Sequence, residues 1–168
     1  MKYAAIFMIV LVVICAGVGV YAWVNAAPQV TVTMKAEAAS LREEEFAALQ
    51  RAMDNDALIG TPFAESVPGT SADYSFFTYT FRVKNKGLIP FEMVEIQPVP
   101  ANGDVLCYAT LDGARANAGL TVAAGKEGDT WCVLLTSAQN QEAHLVTRAF
   151  RVTYYLWGKP HSLTVAYR

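Results

Sequence analysis

The chain has 168 residues, of which 54% are hydrophobic, and its 13 basic and 15 acidic residues give a net charge of −2. That length suits one modest domain with an appendage, and the hydrophobic fraction lies above the ~45–50% usual for soluble domains. The basic residues form no cluster along the sequence, which argues against nucleic acid as a partner.

The first element is an uncharged apolar run from Tyr3 to Val24. As a helix it would be about 33 Å long, enough to cross the ~30 Å hydrocarbon layer of a membrane. We therefore predict a transmembrane signal anchor over residues 1–27 that contacts membrane lipid. Lys2 favours a cytoplasmic N-terminus, which places the C-terminal domain outside the cytoplasm of a single-pass protein of the cell membrane. The alternative is secretion after signal-peptide cleavage near Ala26, because Val24-Asn25-Ala26 has a small-x-small form.

Residues 28–168 are predicted to form the extracytoplasmic domain. The alternating, β-branched run from Gln29 to Met34 predicts a strand. A helix over about 41–55 follows, because Ser40 and Glu43 form a capping-box pattern and Glu43–Glu45 suit the positive end of the helix dipole. This helix either packs on the edge or end of the domain or is an exposed docking element. Residues 59–72, rich in Gly, Pro, Ser and Thr, are predicted to form a loop.

From Tyr74 the chain is predicted to be β to its end. The strand Tyr74–Lys84 alternates with period two, so one face is inward and the other, which includes Phe76, is mixed-polar. The inward residues are Phe77, Tyr79, Phe81 and Val83. Asn85 and Gly87 tolerate positive φ, which lets the chain leave the strand. Pro90 lacks an amide hydrogen and therefore belongs at the first residue of the next strand or on an edge.

The remaining strands are separated by turn signals at short spacing. Asn102-Gly103 predicts a hairpin turn, and the run from Thr130 to Thr136 is apolar on both faces, hence central in its sheet. The last strand runs from Ser162 to Arg168 and alternates cleanly. About eight strands in this pattern predict a mainly β fold, an antiparallel sandwich with one inserted short helix.

Three cysteines are present. With Cys15 in the membrane, Cys107 and Cys132 remain as an even pair in a compartment that tolerates disulfides. They form a candidate disulfide between two strands, and the alternative is two small buried hydrophobic residues.

The sequence offers no catalytic residue, no cofactor site and no metal site. His144 and His161 lack a Cys, Asp or Glu at ligand spacing, and the consecutive Glu43–Glu45 are accounted for by the helix start. No phosphate-binding glycine loop and no nucleophile elbow occurs. We therefore expect the protein not to be an enzyme.

The segments "YTFRVKNKGLIPFEMVEI", "VAAGKEGDTWCVLLT", "RAFRVTYYLWG" and "LTVAY" resemble membrane-anchored immunoglobulin-like modules of bacteria and archaea, of the fibronectin-III and cell-adhesion-related type. The resemblance covers residues 29–168, with the helix as an insertion. It implies an immunoglobulin-like sandwich and, as a function, protein binding or scaffolding in the cell envelope. The alternative function is a structural subunit of an envelope machine or filament, pilin-like or archaellum-stator-like, although the pilin processing site is missing.

Overall fold

The computed structural model describes residues 2–57, 60–108, 119–138 and 147–167. The described chain is mainly β and begins with an apolar helix. The two helices are α1 (Lys2–Val24) and α2 (Glu43–Asp54), the latter preceded by a 3₁₀ turn, Ala39–Arg42. The strands are β1 (Gln29–Ala38), β2 (Thr61–Pro62), β3 (Tyr74–Lys84), β4 (Phe91–Pro98), β5 (Asp104–Tyr108), β6 (Leu120–Val122), β7 (Glu127–Ser137), β8 (Arg148–Leu156) and β9 (Lys159–Tyr167).

The strands form two antiparallel sheets, which together with α2 we call the β domain. The five-stranded sheet has the order β1-β3-β7-β5-β2, and the four-stranded sheet has the order β6-β4-β8-β9. The apolar run of β7 lies at the centre of the larger sheet, as its two apolar faces predicted. The longest ladder joins β3 to β7, with Tyr74 opposite Ser137 and Lys84 opposite Glu127.

The two sheets share one apolar core. The alternation of β3 is confirmed, since its four inward residues are at most 1% exposed and pack against residues of the four-stranded sheet. Tyr79 and Phe81 both make edge-to-face contacts with Phe150 of β8, with ring centroids 4.7 and 4.8 Å apart. Such aromatic pairs add to the stabilisation that burial of their area already provides.

A second core lies on the opposite face of the five-stranded sheet, under α2. Phe46 and Leu49 of the helix are buried against Phe76 and Tyr108. The interpretation of this sheet face as mixed-polar and outward was therefore wrong for the part of β3 that includes Phe76. The helix packs on a sheet face rather than on an edge or end of the domain. The predicted capping box is also absent: Arg42 is the N-cap residue, and no side chain caps it.

Two loop predictions need correction. The segment 59–72 contains β2, whose Thr61 pairs with Cys107 of β5, so it adds an edge strand; Ile59 lies outside the described residues. Asn102-Gly103 does not form a hairpin, because the strands on either side, β4 and β5, belong to different sheets. Only Gly103 of the two has positive φ.

Candidate functional site at the junction of helix and β domain

The end of α1 is bound directly to the β domain. The Tyr21 hydroxyl donates a hydrogen bond to the Lys86 carbonyl oxygen at 3.0 Å. Beyond the helix, Ala26 packs against the shared core, and its carbonyl oxygen accepts a hydrogen bond from the Tyr154 hydroxyl at 3.4 Å. Pro28 is buried immediately before β1. The connection is therefore part of the folded structure rather than a free tether.

Asn85 organises the β3–β4 loop, residues 85–90, on the domain side of this junction. It is fully buried. Its side-chain amide donates to the carbonyl oxygens of Ile89 at 2.7 Å and Val122 at 2.9 Å, and its side-chain oxygen accepts from the Gly87 amide at 2.8 Å. Its backbone amide also donates to the Lys126 carbonyl oxygen at 2.9 Å. One residue thus fixes both the 85–90 loop, through its side chain, and the turn before β7, through its backbone amide.

The expectation that Asn85 and Gly87 supply positive φ was therefore wrong, since neither adopts it. Gly87 is required for a different reason, close approach. A Cβ added to it would lie 2.9 Å from the Asn25 carbonyl oxygen and 3.2 Å from the Asn85 side-chain oxygen. A larger residue at this position would push the 85–90 loop away from the helix end.

The predicted transmembrane segment from Tyr3 to Val24 is helical throughout. Its span Tyr3–Ala22 is long and apolar enough to cross a membrane, and none of that span is buried in the protein. Apolar side chains exposed all round a helix favour a non-aqueous surrounding.

A buried ion pair joins the two sheets at the end of the domain far from α1. Asp104 of β5 and Arg148 of β8 have side chains 0% and 2% exposed. The guanidinium donates from both terminal nitrogens, to the two carboxylate oxygens at 3.1 and 2.5 Å. The Ala101 amide and the Thr136 hydroxyl also donate to the carboxylate, at 2.7 and 3.5 Å. Sequence reasoning missed this pair because 44 residues separate its members.

The candidate disulfide residues lie on neighbouring strands of the larger sheet. Cys107 of β5 is paired with Leu134, two residues from Cys132 of β7, so the two cysteines are diagonal neighbours. Both are buried with free thiols. A hydrogen bond with Cys107, together with burial, raises the pKa of the Cys132 thiol well above its ordinary value. The covalent bond stays a prediction, which a thiol count of the denatured chain tests: three without the bond and one with it.

The other residues singled out in the sequence lie apart from one another. His161 is on β9, stacked on Tyr154 at 5.6 Å between ring centroids, and His144 lies outside the described residues. Glu45 has a packing role that sequence reasoning missed, because it accepts a 2.6 Å hydrogen bond from the buried Tyr108 hydroxyl and pairs with Arg42. Within the described ranges, no group of three His, Cys, Asp or Glu residues is placed to hold a metal ion.

No family model matches the chain, and no curated protein matches it. Solved structures similar to it include a FixG-related protein from Vibrio parahaemolyticus, with 10% identity, a TM-score of 0.39 and coverage of 83% of this chain and 94% of that one. A candidate ApaA protein from Bordetella pertussis has 12% identity and a TM-score of 0.42, with coverage of 84% of this chain and 90% of that one. The yeast GGA1 GAE domain has 10% identity and a TM-score of 0.39, with coverage of 60% of this chain and 96% of that one. Likenesses of this degree carry no conclusion about the chain.

Proposed function

We propose that the protein is a non-enzymatic, single-pass membrane protein that presents an immunoglobulin-like β-sandwich outside the cytoplasm for protein binding or envelope scaffolding. The observation that carries this proposal is the continuity between an exposed apolar helix and a folded β domain. None of the span Tyr3–Ala22 is buried within the described chain, and the last turn of α1 is hydrogen-bonded to the domain through Tyr21.

The same contacts support retention of the helix over cleavage near Ala26. Asn25 remains bonded to the helix through its amide and the Tyr21 carbonyl oxygen at 3.1 Å. Ala26 contributes to the shared core and accepts a hydrogen bond from Tyr154. A segment with these roles belongs to the mature fold, because its removal would expose the apolar surface that it covers.

Membrane extraction and protease access test the topology. We expect the full chain to stay with membranes in alkaline carbonate, and a tag after Arg168 to be digested by protease added from outside intact cells. A matched tag before Met1 should be protected. Mass measurement of the mature chain tests retention, since cleavage would remove the first 26 residues. A soluble mature chain, or a protected C-terminal tag, would overturn the proposal.

The outer face of the four-stranded sheet is the face that we propose for a protein partner. Helix α2 covers the outer face of the other sheet, whereas Glu95 and Arg151 are exposed on β4 and β8. A photo-crosslinking residue at Thr153, which lies on β8 opposite Glu95 of β4, should give a discrete adduct in native membranes. The matched control is the same residue at Glu44, exposed on α2; equal adducts from both positions would contradict this placement.

A further inference from the structure

Two exposed apolar side chains lie at the end of the β domain that adjoins α1. We call this the helix-side end, formed by the 85–90 loop, the 123–126 turn and the 157–158 turn. Leu88 is 55% exposed and Trp157 is 73% exposed. Both line the same crevice as Ala22 of the helix. Exposed apolar residues clustered beside a helix that could span a membrane indicate a surface for binding.

The conformation of Trp157 is costly for its residue type. Trp157 and Gly158 both have positive φ, at 53° and 69°, and Leu156 pairs with Lys159 across this two-residue turn. Such turns favour Asn-Gly or Gly-Gly, because a side chain with a Cβ is strained in the left-handed region. A bulky aromatic residue held there, and left in solvent, has no explanation in the packing of the domain. Strain of this kind often accompanies a functional role.

Four lysines from three strand ends, those of β3, β7 and β9, converge on the same surface. Lys86, Lys126 and Lys159 are exposed, and within the described part of the chain none of them belongs to an ion pair. Lys84 is paired with Glu127 at 2.5 Å, and its hydrogen bond holds the pKa of that carboxyl below its ordinary value. On β4 the first acidic residue is Glu92, one position into the strand. The helix-side end is therefore basic in a chain whose net charge is −2.

The height of this surface follows from the helix. The span Tyr3–Ala22 has 20 residues, about 30 Å at 1.5 Å per residue, which matches the hydrocarbon thickness. Tyr21, one residue before its end, is in hydrogen-bond contact with Lys86 of the 85–90 loop. Once α1 spans a bilayer, the helix-side end has to lie at the level of the lipid headgroups, where tryptophan and lysine are favoured.

We propose that the helix-side end is itself a lipid-binding surface, with Leu88 and Trp157 inserted into the interface of the bilayer that holds α1, and with the three unpaired lysines contacting anionic headgroups. This inference rests on the proposed function and adds a second, peripheral contact to the spanning helix. Basic side chains near an anionic surface are attracted to it, so the contact orients the β domain flush against the membrane.

Quenching by brominated lipids tests the inference on the full chain reconstituted in phosphatidylcholine vesicles, with and without phosphatidylglycerol. Trp157→Phe should remove a component of the tryptophan quenching, and the loss should be larger with bromines near the headgroup than with bromines deep in the chains. The matched control is Trp131→Phe, since Trp131 is 42% exposed but lies four residues into β7. That variant should keep the quenching, because it retains Trp157.

A Gln variant of the three unpaired lysines should abolish the increase in Trp157 quenching that phosphatidylglycerol produces. Equal lipid quenching in wild type and Trp157→Phe, in chains that resist carbonate extraction, would overturn this inference alone. Trp157 fluorescence that is shielded from aqueous iodide but is not quenched by brominated lipid would also overturn the inference. That result would indicate another protein or a second copy of the chain at this surface. Release of the chain by carbonate would overturn it together with the proposed function.

Discussion

Replacing Arg148 by methionine should lower the free energy of unfolding by ~3–5 kcal/mol, because it leaves the Asp104 carboxylate buried without its countercharge. The structure supports a loss of unfolding free energy in the upper part of the range usual for single mutations. Both side chains are at most 2% exposed, and both carboxylate oxygens accept from the guanidinium. After the change the Ala101 amide and the Thr136 hydroxyl would still donate to the carboxylate, but neither carries the positive charge of the guanidinium.

The matched control is Arg82→Met. Arg82 also pairs with an aspartate of a neighbouring strand, Asp129, at 3.1 Å, but the two side chains are 62% and 51% exposed. Exposed pairs of this kind contribute ~0–1 kcal/mol, because water screens the charges and competes for the hydrogen bonds. The two arginine variants therefore remove the same chemistry and differ in burial.

Urea unfolding of the full chain in mild detergent measures the difference. Near-ultraviolet circular dichroism follows the packing of the aromatic core, which is lost on unfolding, whereas α1 should stay helical in the micelle. The variant Asp104→Asn and the double variant with Arg148→Met complete a cycle, in which the double variant should lose ~1–3 kcal/mol less than the two single losses together. A loss from Arg148→Met no larger than that from Arg82→Met would refute the description of the pair as desolvated.

Four further predictions concern individual contacts of the β domain. Tyr79→Phe should leave stability unchanged or raised, because the Tyr79 hydroxyl has no hydrogen-bond partner in the described part of the chain. Tyr108→Phe should instead cost ~1.5–3 kcal/mol, because it removes a hydrogen bond to the Glu45 carboxylate. Burial raises the pKa of Tyr79 to about 12, above the ~10 of an unfolded tyrosine. The stability that the protonated hydroxyl contributes is therefore complete below pH ~10 and is lost as the pH rises through about 12. Spectrophotometric titration of wild type and Tyr79→Phe measures this pKa, and a normal value would contradict the prediction. Gly87→Ala should speed cleavage between α1 and β1 by a broad-specificity protease, since its Cβ would lie 2.9 Å from a backbone oxygen of the helix end; an unchanged cleavage rate would show that the junction adapts. Leu49→Ala should cost ~2–5 kcal/mol in urea unfolding, because Leu49 of α2 is fully buried against the sheet. A loss under ~1 kcal/mol would argue against the second core.

The sequence predicted the strands best where one face is apolar along a whole strand. The period of two in β3 placed Tyr79 inward because its neighbours at even spacing are also large and apolar. The same rule failed for Phe76, because its face of the strand also carries Thr and Arg residues. Helix α2 covers that face only after the chain has folded back. A single strand's pattern cannot reveal which segment of the chain will cover its second face.

The candidate site was less predictable, because its members are brought together by topology. Asn85 has the local signature of a turn residue, yet its hydrogen bonds reach Val122 and Lys126, about 40 residues away in the chain. Lys86 lies in the β3–β4 loop and Lys159 begins β9, so the two converge only through the pairing of the sheets. Lysines spread along a sequence therefore look like ordinary surface charge until the fold places them on one end.

The short connection between α1 and β1 limits how the proposed anchor can be used. Four residues, 25–28, separate the two elements, and even fully extended they would span at most ~14 Å. Asn25 and Ala26 are already bonded to the helix and the domain, so the connection cannot act as a stalk. The ten residues of β1, at ~3.3 Å each, extend about 33 Å from the helix-side end. A partner of a domain held in this way has to reach within that distance of the bilayer, which favours another protein of the same membrane over one that is distant in the envelope.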